Sequence, residues 1–251
     1  MKTGAKIIIG VTAAAIAGAA ITAGYICKVK SLKAVIPERF TVTAHTGCEG
    51  TADNTLEAIS AGATAGADVV EFDLNFNADG EPVLAHDEAK KDSVTLKEAF
   101  RTVAKHENLK VNVDVKTTDN LKVVVQTANE CGVFDRIFYT GIEAKDVEAV
   151  KRDTPEVSYY LNTDIEKSKK NSEEYIRSLV SLTKESGAVG INIHYSGASK
   201  KMVDIFHGEA LQVSVWTVND ELAMHKVLAL GCDNITTRQP TKLIEVINSK
   251  I

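Results

Sequence analysis

The sequence predicts an α/β protein, a compact (β/α)8 TIM barrel preceded by an N-terminal transmembrane helix or signal segment. Two observations carry that expectation. From residue 40 onward, apolar runs rich in β-branched residues alternate with stretches whose apolar residues recur at helical spacing; eight such units in ~210 residues suit a small closed barrel. Chemically capable polar residues also recur just after strand-like runs in both halves of the chain, and only a closed ring brings so many strand ends around one mouth. A doubly wound open sheet shares the alternation and is the rival architecture.

The first element is a matter of composition. From Ile7 to Cys27 the chain runs 21 residues without a charge, behind Lys2 and Lys6 and ahead of Lys28, Lys30 and Lys33. A helix of ~20 apolar residues spans a bilayer, so residues 1–30 are expected to form a single-pass membrane anchor. A cleaved signal peptide is the competing reading, with Ile7 to Ile16 as its apolar core and Ala17-Gly18-Ala19 as the cleavage site. Lysines on both sides nearly balance and set the orientation weakly. The expectation is an extracytoplasmic barrel at the cell membrane, or a secreted one if the segment is removed. Residues 31–39 read as a linker and 40–251 as the barrel domain.

Strands are expected at Phe40–Ala44, Val69–Asp73, Val111–Val115, Arg136–Tyr139, Val157–Leu161, Val189–Ile193, Leu211–Trp216 and Asn234–Thr236. Between them, sets such as Leu56-Ile59-Ala63 and Leu222-His225-Leu228 have helical spacing. Asp53 or Asn54 can cap the first barrel helix with Glu57 in its first turn, and Asn219-Asp220 can cap the seventh. Gly66, Gly132, Gly187 and Gly231 fall where helices should end, a position that often needs a left-handed residue.

Hydrophobic residues make up 44% of the chain and charged ones 25%, which is ordinary for a globular domain and leaves no room for extensive disorder. A net charge of -5 argues against a nucleic-acid partner, which would call for a basic surplus. Cys27, Cys48, Cys131 and Cys232 are widely spaced and form no CxxC pair, so neither a zinc site nor a dense disulfide framework is expected.

The chemistry sits at the strand ends. His45 follows Val42-Thr43-Ala44 and His86 follows Val83-Leu84-Ala85. Glu71 and Asp73 are two apart on a strand and share a face; inside a barrel that face is the interior, where carboxylates are costly unless they meet a cation. Asp114 and Lys116 repeat the spacing on the next long strand. Three carboxylates near one mouth suit a hard cation, Mg2+ or Ca2+, while an internal salt bridge to Lys116 is the plainer reading. Trp216 ends a strand at the mouth, where it can wall a substrate site or plug the barrel top. His194-Tyr195 also follows a strand. His106, His207 and His225 fall in helical segments and are expected to face solvent or cap. Lys167 to Lys170 reads as a solvated loop or helix start.

In chain order, His45-Thr46-Gly47, Asp53-Asn54-Thr55, Gly66-Ala67-Asp68, Glu71-Phe72-Asp73, Asp79-Gly80 and His86-Asp87 resemble the HRG, ENT, GAD, E-x-D, DG and HD motifs of glycerophosphodiester phosphodiesterases. Val215-Trp216-Thr217-Val218-Asn219 and Gly231-Cys232-Asp233-Asn234-Ile235-Thr236-Thr237 resemble that family's closing WTVN and GVDGIIT segments. The resemblance runs from about Thr41 to Pro240. It implies a metal-dependent hydrolase that releases an alcohol and glycerol 3-phosphate from a small phosphodiester or a lysophospholipid-like substrate. It further implies Glu71, Asp73 and Asp114 as metal ligands, His45 and His86 as the acid–base pair, and Lys116 and Trp216 at the substrate.

Three departures qualify the likeness. Thr46 stands where the family has arginine, Asp53 replaces the glutamate of ENT, and Asp114 replaces a glutamate in an E-x-K strand. Asp114-Val115-Lys116-Thr117 looks more like the D-x-K-T of sphingomyelinase D-type phospholipases, and the stretch from Glu88 to Asp114 is short for the family. A lyase that stops at a cyclic phosphate, or a degenerate barrel that binds phospholipid head groups without turnover, are therefore the alternatives.

Overall fold

In the computed structural model, which describes residues 22–250, eight parallel strands close into a ring. In chain order they are β1 (Thr41–Ala44), β2 (Val69–Phe76), β4 (Lys110–Val115), β5 (Ile137–Ile142), β6 (Tyr159–Asn162), β7 (Gly190–His194), β8 (Gln212–Trp216) and β9 (Asn234–Thr237). Each pairs with its neighbour in sequence, and β1 pairs with both β2 and β9. Thr43 sits opposite Val69 on one side and Thr236 on the other, which closes the ring and excludes the open doubly wound sheet. A short strand β3 (Pro82–Leu84) folds back antiparallel on the end of β2. The eight expected runs are the eight strands of the ring.

The strands alternate inside and outside. Phe72 points outward from β2 and meets Phe100 with ring centroids 6.0 Å apart, while its neighbours Glu71 and Asp73 turn inward. Phe100 belongs to α3 (Leu96–Val103), whose buried Leu96, Ala99, Phe100 and Val103 follow the helical period. Burying a side chain of that size contributes ~1.5–3 kcal/mol, so this stripe fixes α3 against β2. Thr95 and Glu98 form a reciprocal capping box at its start.

Inside, one layer is polar. Thr43 donates to Asn234 Oδ1 at 2.6 Å, Asn234 Nδ2 to Ser214 at 3.0 Å, Ser214 to Asn192 Oδ1 at 2.8 Å, and Asn192 Nδ2 to Asn162 Oδ1 at 3.2 Å. The backbone N–H of Gly141 also donates to Asn162 Oδ1 at 3.0 Å. These hydrogen bonds satisfy buried groups that would otherwise be costly, and they form a belt across strands where branched aliphatics usually fill a barrel. Gly141 has φ +76°, and a Cβ there would lie 2.4 Å from the carbonyl oxygen of Val115. Only glycine lets β5 approach β4 this closely.

Several expectations are corrected. Thr55, not Asp53 or Asn54, caps α2 (Leu56–Thr64); Asn54 is turned away in a left-handed conformation, φ +59°. Asp220 does cap α8 (Glu221–Leu230). His106 lies in a turn past the end of α3 rather than in a helix, and His225 is buried in α8 rather than facing solvent. His207 does sit in the last turn of α7 (Lys200–Gly208), its Nε2 2.9 Å from Asp233.

The expected membrane span lies mostly outside the described residues. Of it, residues 22–30 continue as a helix, α1, and among the described residues no helix is long and apolar enough to cross a membrane. The expected linker is docked. Within it, Val35 N–H donates to Leu228 O at 2.9 Å and Leu32 O accepts from Lys250 at 3.1 Å; just before it, at the end of α1, Val29 is buried and Lys30 pairs with Glu221 at 2.6 Å.

Candidate active site

At the carboxyl ends of the strands lies a cleft of about 360 Å³ lined by His45, Glu71, Asp73, His86, Asp114, Lys116 and Trp216, among others. The seven residues singled out in the sequence thus meet in one place. Strand register explains how. Asp73 on β2 is directly opposite Asp114 on β4, which is opposite Thr140 on β5, so side chains far apart in sequence share one rim. Asn112, one step below Asp114 on the same face, is opposite Glu71.

Glu71, Asp73 and Asp114 offer carboxylate oxygens within 4.8 Å of one another. Burial drives the Glu71 carboxyl well above the usual carboxylate range, and repulsion from Asp114 and Asp73 adds to the shift. Lys116 reaches in from β4's end: its Nζ is 2.9 Å from Asp73 Oδ1 and also contacts Asp114 Oδ2. Burial works to lower its pKa, but the two aspartates outweigh it and raise the value. The internal salt bridge weighed from the sequence therefore exists. It does not balance the site, since one ammonium faces three carboxylates and Glu71 is left without a cation. An all-oxygen donor set with surplus negative charge suits a hard divalent cation.

The histidines differ. His45 is mostly buried, and its Nδ1 lies 2.8 Å from the carbonyl oxygen of Thr46. A carbonyl only accepts, so Nδ1 carries the proton, and in the neutral ring Nε2, 3.7 Å from Glu71 Oε1, is the nitrogen with the lone pair. Desolvation lowers its pKa, with Arg238 adding to the effect. His86 stands on the rim after β3, largely exposed, with Nδ1 2.9 Å from Asp87 Oδ1. Trp216 is 36% exposed and its ring stands perpendicular to that of His194, centroids 5.7 Å apart. His194 itself lines a neighbouring basin with Asp164 and Lys167, separated from the main cleft by the Trp216 ring.

The sequence reading missed Glu143, Lys145 and Asp146, which line the opposite rim after β5. Their position just beyond a strand end was the available signal. Asn54 reads from the sequence as a possible helix cap and as part of the Asp53-Asn54-Thr55 motif, and neither reading foresees its hydrogen bonds to Asp73.

The sequence model of the Glycerophosphoryl diester phosphodiesterase family matches residues 44–123 and 89–242, which takes in both histidines and all three carboxylates. The chain belongs to this family. As a glycerophosphoryl diester phosphodiesterase family member, it is a hydrolase of phosphodiesters. It is 25% identical to the uncharacterized protein YqiK of Bacillus subtilis (strain 168), over 83% of this chain and 99% of that protein. Among solved structures, a glycerophosphodiester phosphodiesterase from Parabacteroides distasonis superposes with a TM-score of 0.68 at 19% identity, covering 84% of this chain and 98% of that one. An Oleispira antarctica phosphodiesterase in complex with the product sn-glycerol-3-phosphate gives 0.68 at 21% identity, covering 85% and 97%. At these identities the likeness is one of fold, and it agrees with the barrel and the family match.

Proposed function

We propose that this chain hydrolyses glycerophosphodiesters to an alcohol and glycerol 3-phosphate. The observation that carries the reading is the meeting of His45, His86 and three carboxylates on one cleft. The Oleispira structure, whose product is sn-glycerol-3-phosphate, supports the choice of substrate. Glu71, Asp73 and Asp114 would hold one divalent cation, Mg2+ or Ca2+. Such an ion, when bound, neutralises the phosphodiester and the charge that develops on its oxygens.

The chain's own residues do the rest. Lys116 presents its ammonium to the same anion, and Trp216 walls the alcohol side of the cleft. His45, with Nδ1–H committed to Thr46 O, offers Nε2 to remove the proton from the attacking hydroxyl. His86, on the rim after β3, gives a proton to the departing alkoxide. Imidazole is suited to proton transfer near neutrality, and the lowered pKa of His45 keeps it in the neutral form that a base requires. By the family resemblance, the attacking hydroxyl is the substrate's own neighbour to the phosphate, and water then opens the cyclic ester.

A second reading, a lyase that stops at the cyclic phosphate, is favoured by Asp114-Val115-Lys116-Thr117. Phosphorus NMR of the products from glycerophosphocholine or lysophosphatidylcholine distinguishes the readings. Glycerol 3-phosphate supports hydrolysis, a persistent cyclic phosphate supports the lyase, and no turnover with metal present leaves a head-group-binding barrel.

Residues 1–30 serve, in this proposal, as a membrane anchor that holds the barrel domain at the cell membrane on the extracytoplasmic side, or as a signal segment whose removal secretes it. The uncharged run from Ile7 to Cys27 supports it. Carbonate-resistant sedimentation of the full-length chain with membranes is the expected result, and mature secreted protein beginning near Ala20 would establish cleavage instead.

A further inference from the structure

We propose that Asn54 is the positioning residue of the carboxylate cluster, and that Thr46 has exchanged the family arginine's place for the task of holding Asn54. The proposal rests on the reading of Glu71, Asp73 and Asp114 as cation ligands and adds a residue that sets the geometry of one of them.

Asn54 grips Asp73 twice. Its Nδ2 donates to Asp73 Oδ2 at 2.7 Å, and its Oδ1 accepts from the backbone N–H of Asp73 at 2.9 Å. Only an amide can do both, because the first contact needs a donor and the second an acceptor. The backbone N–H also fixes which way the amide faces. With Oδ2 held by Asn54, Asp73 is left with Oδ1 directed at Lys116 and the other carboxylates. A neutral donor on one oxygen orients the carboxylate without competing for charge on the other, which is how outer-shell partners serve metal ligands.

Asn54 reaches this position only because its backbone is left-handed, φ +59°. Asparagine is among the few residues that accept that conformation. Thr46 holds it there: the backbone N–H of Asn54 donates to Thr46 Oγ1 at 2.5 Å. Thr46 is 3% exposed, so the side chain at this position is turned into the loop rather than out toward an anion. The residue just before Asn54 is tied from the far end of the chain. Arg238 donates to both oxygens of Asp53, at 2.5 and 3.2 Å, and a Cβ on the intervening Gly47 would strike both partners. The departures at positions 46 and 53, the latter tied by Arg238, therefore act on one loop, and that loop delivers Asn54 to Asp73.

The test is calorimetric titration of Mg2+, Ca2+ and Mn2+ into the full-length chain and its variants, with thermal unfolding measured alongside. Asn54→Gly keeps the left-handed backbone free of strain and deletes only the amide. It should bind metal about 10–100-fold more weakly than wild type, the usual loss for an outer-shell partner, while its unfolding temperature stays close to wild type. Should that variant fold poorly, Thr46→Val removes the acceptor at near-constant volume and should also weaken metal binding, and Thr46→Ser should restore it. Metal affinity within about twofold of wild type in both Asn54→Gly and Thr46→Val would overturn the proposal. Absence of binding in wild type would instead overturn the metal site itself, and the clamp with it.

Discussion

The ammonium of Lys116 lies 2.9 Å from Asp73 Oδ1 and contacts Asp114 as well, so this partly buried cation of the cleft is held by two of the residues proposed as ligands. That relationship gives opposite signs for two measurements. Lys116→Met removes a charge that, in the proposed function, faces the substrate anion, and turnover should fall by about 10²-fold, the scale for losing one preorganised electrostatic group. The same change removes a competitor for the carboxylates, so divalent-cation affinity should hold or rise. Steady-state kinetics with calorimetry on one preparation checks both; weaker metal binding in this variant would show that Lys116 builds the cluster rather than shares it.

Chelation should abolish phosphodiesterase activity, and Mg2+ or Ca2+ should restore it. Glu71→Gln keeps the shape of a buried carboxylate and deletes its charge. Its loss of metal affinity should exceed the ~10–100-fold of an outer-shell change. Full activity in protein shown metal-free by elemental analysis would sink the cation from the mechanism.

His45→Ala and His86→Ala should each lower kcat by at least about 10²-fold, the usual contribution of a positioned acid or base. Groups that act as one unit are non-additive, so the double variant should be little worse than the poorer single one. Near-wild-type kcat in either single variant would make that histidine structural.

Gly141→Ala places a methyl 2.4 Å from the carbonyl oxygen of Val115, beside Asp114. Overpacking of this kind costs about 1–3 kcal/mol, and the left-handed φ adds strain. At ~2–4 °C per kcal/mol for a chain of this size, scanning calorimetry should record a clear drop in Tm. An unchanged Tm would mean that β5 can retreat from β4 at no cost.

The capping box of α3 gives a pH-dependent stability. Hydrogen bonds from the Thr95 hydroxyl and backbone N–H hold the Glu98 carboxyl below the usual glutamate range. A lowered carboxylate stabilises the fold above its unfolded pKa, ~4.3 for glutamate, and loses that contribution as pH falls through the lowered folded value. The stability difference between wild type and Glu98→Gln should therefore be present at pH 7 and shrink below about pH 4. Thr95→Ala should cost about 1 kcal/mol at neutral pH. Urea unfolding at the two pH values measures both.

The barrel and most of the site were legible because each rests on local pattern. Apolar β-branched runs specify strands, and Glu71-Phe72-Asp73 announces an inward pair by its period of two. What stayed hidden depends on contacts across the chain. The polar belt is spread as one Thr, Ser or Asn per strand, and each alone reads as an ordinary strand residue. Asn54 reads as a helix cap until its left-handed backbone turns it toward Asp73, 19 residues on. His225 follows the apolar spacing of its helix yet is a polar residue, and only the packing of α8 decides that it is buried. The stretch from Ser31 to Arg39 has a linker's composition, and its docking follows from surfaces on α8 and α9 (Pro240–Asn248) that no local reading supplies.

That docking bears on reach. A free tether would let the mouth of the barrel sweep a wide volume about its point of attachment, and its length would set the effective concentration of any target fixed to the same support. Here Val29, Lys30, Leu32 and Val35 are fastened to the barrel, so the mouth keeps one bearing relative to the helix that enters it. A phosphodiester free in solution meets the site from any direction regardless. If residues 1–30 anchor the chain as proposed, one displayed on a surface is accessible only if that bearing turns the cleft toward it, and loosening the docked stretch would change which displayed targets are within range while leaving turnover of small soluble ones as it was.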